Sequence, residues 1–333
     1  MKRYVKRFLI WTAGSVLVYG AIVAGLIAFG TTKPPAVATA ITKPFADIDT
    51  RALPAVIRYK ARDGVLLSYR EYPASGSKLA LLLHGSAGSG VDMHPLALAL
   101  QAAGYAVLVP DVRGHGANRP HGDISYFGQL DDDLVDLITL KKPEFPNSTW
   151  TIMGFSSGAA FVLRFAAESP AGTLVDRYVL VSPYLRYDAP SVRQADQGSK
   201  PTQSWAAVSL GRIVGLSMLG QWGVHHWDGL PVLAFPVPAN IDDATNVYSW
   251  RLTRNFGADD DYRGDMRRVG RPMEVLVGDS DEILDAEKLK TEFKSQRPEV
   301  PVTIVPSMGH SDMVTRPEGI RAIVSAIIAT GGA

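Results

Sequence analysis

Trp150-Thr151-Ile152-Met153-Gly154-Phe155-Ser156-Ser157-Gly158-Ala159-Ala160-Phe161-Val162-Leu163 is the stretch that decides how this chain is read. An apolar run of strand character enters a Gly-x-Ser-x-Gly turn at 154 to 158. It leaves as an apolar run of helical character that extends to Glu168. A serine on such a strand-to-helix turn is held where a base reaches its proton and backbone amides face a developing oxyanion. Glycine is needed at 154 and 158 because side chains there would collide with the tightly folded backbone. The chain contains 31 glycines, so the pattern alone would recur by chance; the strand before it and the helix after it give it weight.

Working outward, Leu79 to Leu83 (LALLL) is the continuous apolar run that a parallel strand buried on both faces requires. It ends in His84-Gly85-Ser86-Ala87-Gly88, a loop whose amide at Ser86 or Ala87 would point at the same oxygen as the amide of Ser157. A second buried strand, Ala106 to Val109, runs into Asp111-Val112-Arg113-Gly114-His115-Gly116. Downstream, Met273 to Val277 leads to Gly278-Asp279-Ser280-Asp281-Glu282, and Pro301 to Val305 leads to Ser307-Met308-Gly309-His310. Sites in open α/β sheets form beyond the carboxyl ends of strands, so His310 is the candidate base and Asp279 or Asp281 the acid that orients it. The plainer readings are a structural turn at Ser156, an exposed loop histidine at 310 and turn-forming aspartates at 279 and 281. His84 and His115 read as structural, and His225-His226 is too small a set for a metal site.

His84-Gly85, the Asp-x-Arg-Gly-His-Gly at 111 to 116, the elbow at 154 to 158, Gly278-x-x-Asp281 and Gly309-His310 together resemble the α/β-hydrolase superfamily. Within it the resemblance is to the branch containing lysophospholipase-like and monoglyceride-lipase-like enzymes and the serine aminopeptidases. It covers roughly residues 55 to 330 and is weakest between about 186 and 268. It implies a mostly parallel sheet with helices on both faces and an inserted cap. It implies Ser156 as nucleophile, His310 as base and then acid, and places the acid at Asp281 rather than Asp279. Ser86 and Ser157 follow as oxyanion donors, and neither cofactor nor metal is expected.

The rest of the body agrees with that architecture. Val56 to Tyr72, broken at Asp63-Gly64, reads as an opening hairpin. Helix-like runs near 92–103, 130–141, 159–169, 284–296 and 317–330 alternate with strands near 79, 105, 150, 178, 273 and 301, the pattern of a mainly parallel sheet. About 90 residues separate the strand ending at Ser182 from the one starting at Met273, too many for a connection. The cap expected at about 186–268 holds Trp205, Trp222, Trp227 and Trp250, which form either its own small core or a surface for lipid.

Phe8 to Phe29 holds no charge, and as a helix it would be about 33 Å long at about 1.5 Å per residue, enough to span a hydrocarbon core. Lys2, Arg3, Lys6 and Arg7 precede it, so the basic tail at 1–7 is expected in the cytoplasm and the body outside. A cleaved signal peptide is the rival, but its apolar region would be about 7 to 15 residues long. An anchor at 8–29, a polar extended linker at 30–54 and a hydrolase domain at 55–333 are therefore expected. Of 333 residues none is cysteine, and the net charge of +1 argues against nucleic acid as a partner. The expected function is a membrane-anchored serine hydrolase acting on a lipid-derived ester. The alternatives are an aminopeptidase or amidase on the same residues, or a non-catalytic binding protein of this fold.

Overall fold

The computed structural model describes residues 2–36, 39–193, 205–237 and 244–329. Among these, the strands are β1 (Ile57–Lys60), β2 (Leu66–Tyr72), β3 (Lys78–Leu83), β4 (Ala106–Pro110), β5 (Thr149–Phe155) and β6 (Arg177–Val181). They continue with β7 (Ala207–Val208), β8 (Pro231–Ala234), β9 (Val247–Ser249), β10 (Met273–Gly278) and β11 (Val302–Val305). Eight form one sheet in the order β1-β2-β4-β3-β5-β6-β10-β11. The first two pairings are antiparallel and the other five parallel. Asp63-Gly64 makes the expected reversal between β1 and β2, with Gly64 at φ 88° where a side chain would be strained.

The helices are α1 (Lys2–Phe29), α2 (Thr39–Ala46), α3 (His94–Ala102), α4 (Gln129–Lys141), α5 (Ser157–Glu168) and α6 (Leu210–Gly220). They are followed by α7 (Trp250–Asn255), α8 (Tyr262–Arg268), α9 (Ala286–Gln296), α10 (Asp312–Thr315) and α11 (Pro317–Ala329). Because successive side chains on a strand point to opposite faces, β3 feeds two cores. Leu79, Leu81 and Leu83 pack with Leu134 of α4, Phe161 of α5 and Leu289 of α9. Ala80 and Leu82 pack with Leu96 and Leu100 of α3 and Ile323 of α11. All five are buried, which explains why this strand is an unbroken apolar run rather than an alternating one.

Between β6 and β10, the strands β7, β8 and β9 form a separate small sheet, with α6 packed on β8 and α7 on β8 and β9. α8 returns to the main body against α5 and α9. α1 is long and apolar enough to cross a membrane; a signal sequence meets the same criterion of length and composition.

The segment expected to be an extended tether contains α2. Ile41 and Phe45, four apart, share one face of this helix and are drawn into the molecule. The Phe45 ring lies edge-on to Phe155 at 6.2 Å, and Ser311 Oγ donates to the carbonyl of Ile41 at 2.7 Å. Two large apolar residues in an eight-residue helix containing Pro44 are a faint local signal, so docking on the body is what identifies it.

Candidate active site

β5 ends and α5 begins at Ser156, whose backbone sits at φ 56°, ψ −120°. That conformation is costly for a non-glycine residue and is held by its surroundings. The Ser156 amide donates to Val181 O at 2.9 Å, and its carbonyl accepts from the amides of Ala159 and Ala160. A Cβ on Gly154 would lie 2.4 Å from Gly158 O, and one on Gly158 would lie 2.2 Å from His84 O. No residue but glycine fits at either place.

His310, following β11, has Nε2 2.9 Å from Ser156 Oγ and Nδ1 2.8 Å from Asp281 Oδ2. A carboxylate on Nδ1 accepts its hydrogen, which leaves Nε2 free to accept from the serine hydroxyl. The other Asp281 oxygen accepts from the amides of Ile283 and Leu284 at 2.9 and 2.8 Å. Burial opposes ionisation of Asp281, but His310 and these two amides outweigh it and hold the carboxyl below its ordinary range. Asp279 faces elsewhere: its carboxylate accepts from the Ser307 amide at 2.7 Å and the Ser280 hydroxyl at 2.8 Å, as a turn residue does. Glu282, which the sequence did not single out, accepts from the His310 amide at 2.8 Å and fixes the loop that presents the imidazole.

Of the two oxyanion-loop amides left open by the sequence, that of Ala87 is committed, donating to Tyr248 Oη at 2.7 Å. Among the described residues no acceptor engages the amides of Ser86 or Ser157, while their hydroxyls bond each other at 2.8 Å. Tyr248, on β9, was not legible as a site residue. Its hydroxyl donates onward to His115 Nε2 at 2.5 Å, and His115 Nδ1 meets Arg113 O at 3.1 Å. His84 completes the group, accepting from the Val112 amide on Nε2 and donating from Nδ1 to Gly85 O. Burial pushes both histidines below their usual range, so they are neutral hydrogen-bonding struts.

The rest of the Asp-x-Arg-Gly-His-Gly segment is structural too. Asp111 accepts from the amides of Gly90 and Ala117, and Arg113 pairs with Asp133 at 2.7 Å and Asp63 at 3.0 Å.

Ser156 opens into a cavity of about 460 Å³ walled by Phe45, Phe155, Trp205, Phe235, Val237 and Ile283. Asp92 is the one carboxyl among its described lining residues. Burial pushes Asp92 up to about 7, against the Ser89 amide bonded to it at 3.2 Å. His225 and His226 stand apart from this cavity, and among the described residues no group of three or more metal-ligating side chains forms. A hydroxyl bonded to an oriented imidazole, beside two uncommitted amides, can attack a carbonyl and stabilise the oxyanion that results.

The family described as serine aminopeptidase, S33, matches residues 75–329. The chain belongs to that family. With it comes the α/β-hydrolase superfamily, and the fold is of the esterase and lipase type. Among solved structures, a soluble variant of monoglyceride lipase from Saccharomyces cerevisiae is similar at 15% identity and a TM-score of 0.64, over 85% of this chain and 98% of that one. A monoacylglycerol lipase of Paleococcus ferrophilus matches at 18% identity and a TM-score of 0.57, over 79% and 98%. A bacterial membrane phospholipase A matches at 18% identity and a TM-score of 0.56, over 99% and 98%. At these identities the likeness is one of fold. No curated protein matches.

Proposed function

We propose that this protein is a membrane-anchored serine hydrolase that cleaves a carboxylic ester of a lipid-derived, lysophospholipid-like substrate. The observation that carries the reading is the chain Ser156–His310–Asp281 opening into an apolar cavity of about 460 Å³, a space suited to an acyl chain. Ser156 Oγ attacks the ester carbonyl while its proton passes to His310 Nε2, and the amides of Ser86 and Ser157 hold the oxyanion. His310 returns that proton to the departing alkoxide, leaving an acyl-serine. Water, deprotonated by the same imidazole, then releases the acid. Asp281 steadies the imidazolium at both stages. Lys2, Arg3, Lys6 and Arg7 ahead of the apolar helix support a cytoplasmic N-terminus with the body on the outer side.

A second reading, release of an N-terminal residue from a peptide or amide, is favoured by Asp92, a carboxyl on the cavity wall that would face an α-ammonium group. One panel tests both. A fluorophosphonate should label the protein but not Ser156→Ala, and the protein should hydrolyse lysophospholipids and monoacylglycerols in preference to aminoacyl amides. Turnover of aminoacyl amides with inert lipid esters would favour the second reading. Undiminished labelling of Ser156→Ala would overturn both.

A further inference from the structure

α1 does not stand clear of the body along its whole length. Its second half lies antiparallel to α6: Tyr19 Oη donates to Met218 O at 3.3 Å, and Arg212 Nε donates to Ile27 O at 3.1 Å. Small residues let the two helices approach closely. A Cβ on Gly215 would come within 2.7 Å of the Ile27 side chain, and one on Gly30 within 2.7 Å of the Arg212 amide.

This pairing restricts where a bilayer can sit. Arg7 is the last charge before the apolar run of α1, and from Phe8 only eleven residues, to Val18, precede the first contact with α6 at Tyr19. At about 1.5 Å per residue those residues cover about 16 Å, roughly half of a hydrocarbon core of about 30 Å. Reaching about 30 Å takes twenty residues, from Phe8 to Ile27, and the guanidinium of Arg212 is bonded at that level. Arg7 and Arg212 therefore bracket one hydrocarbon thickness, and most of α6 lies between them.

We infer that α6 and the turn after it are bedded in the outer leaflet beside α1, so that the protein enters the bilayer as a two-helix lobe. The inference rests on the reading of α1 as a membrane span. The occupant of the exposed α6 face is lipid hydrocarbon: Leu210 is 69% exposed, Trp222 74% and Val214 48%, an apolar face continuous with α1. Three polar side chains at this level, those of Tyr19, Arg212 and Trp222, are paired within the lobe, as hydrocarbon surroundings favour. Trp222 Nε1 donates to Tyr19 Oη at 3.2 Å, and Arg212 spends its charge on the carbonyls of Ile27 and Pro231. In the turn, His225 pairs with Asp228 at 2.8 Å and packs on Phe127. Since β7 and β8 flank α6 and the chain between them and β9 supplies Phe235 to the cavity wall, bedding α6 brings that wall down to the membrane surface.

The cysteine-free chain makes the test direct. Full-length Val16→Cys, Val214→Cys and Glu287→Cys, each labelled with an environment-sensitive nitrobenzoxadiazole, are placed in phosphatidylcholine vesicles with and without doxyl-labelled lipid. The probes at Val16 and Val214 should lose half or more of their fluorescence to the doxyl lipid, and the one at Glu287 should be unchanged. Quenching at Val16 with a water-exposed Val214 would overturn the inference while leaving the anchor standing. A water-exposed Val16 would overturn the anchor and the inference with it. A blue-shifted Val214 that doxyl lipid does not quench, and that forms a disulfide-linked dimer when unlabelled, would mean a second copy covers α6, overturning it likewise.

Discussion

Tyr248→Phe removes a single oxygen, and the structure sets what that oxygen holds. It accepts from the Ala87 amide at 2.7 Å and donates to His115 Nε2 at 2.5 Å, with all three residues buried. Phenylalanine retains the ring contacts with His115 and Phe235 but leaves a buried donor and a buried acceptor without partners. At about 1–3 kcal/mol for each of the two orphaned groups, the variant should lose roughly 2–6 kcal/mol of stability. Chemistry should suffer as well, because Ala87 adjoins Ser86, whose amide we propose as an oxyanion donor. Loss of a whole oxyanion donor costs about 10²–10³ in kcat. Here the loop keeps a second tie, the Thr245 amide donating to Ala87 O at 3.0 Å, so a fall of about 10 to 100-fold is expected. Urea unfolding measures the first effect. Initial rates on a short soluble ester, taken well below the melting temperature, measure the second, and KM should change far less than kcat. Lowered stability with unchanged kcat would show that Tyr248 serves packing alone and would refute its role in positioning the loop.

Two further expectations follow from the same geometry. Asp281→Asn should lower kcat by about 10⁴ through loss of the imidazole's orientation, whereas Asp279→Asn, which alters a turn bonded to Ser307, should cost far less; the opposite ranking in steady-state kinetics would reassign the acid. Asp92, pushed up to about 7 in the folded protein against about 3.9 in an unfolded chain, contributes stability that is fully present below about pH 4 and is lost as pH rises through about 7. Asp92→Asn keeps an oxygen for the Ser89 amide and cannot ionise, so thermal melts should show it gaining on the parent protein from pH 5 to pH 8; a difference independent of pH would mean Asp92 is not held protonated by burial.

What could be read from the sequence was whatever short-range pattern dictates. An apolar run of five residues must be a strand buried on both faces, a Gly-x-Ser-x-Gly turn between strand and helix must bend sharply, and Asp63-Gly64 must reverse the chain. Those patterns sufficed for the alternating sheet and for bringing Ser156 and His310 forward as candidates, since each follows a strand and strand ends converge on one edge of such a sheet. Contacts between residues distant in sequence carry no local mark, and here only the tertiary structure decided. Asp279 and Asp281 look alike along the chain, and the pairing of β10 with β11 turns the second toward His310 and the first toward Ser307. The amides of Ser86 and Ala87 are equivalent until a tyrosine 161 positions away claims one of them. α2, eight residues long with Pro44 inside it, is too short to stand out before it docks at Phe155, and the linker that looked like a tether becomes a wall of the cavity. The apolar run of α1 was plain from composition, but that α6 lies along its second half depends on helix packing between residues nearly 200 positions apart.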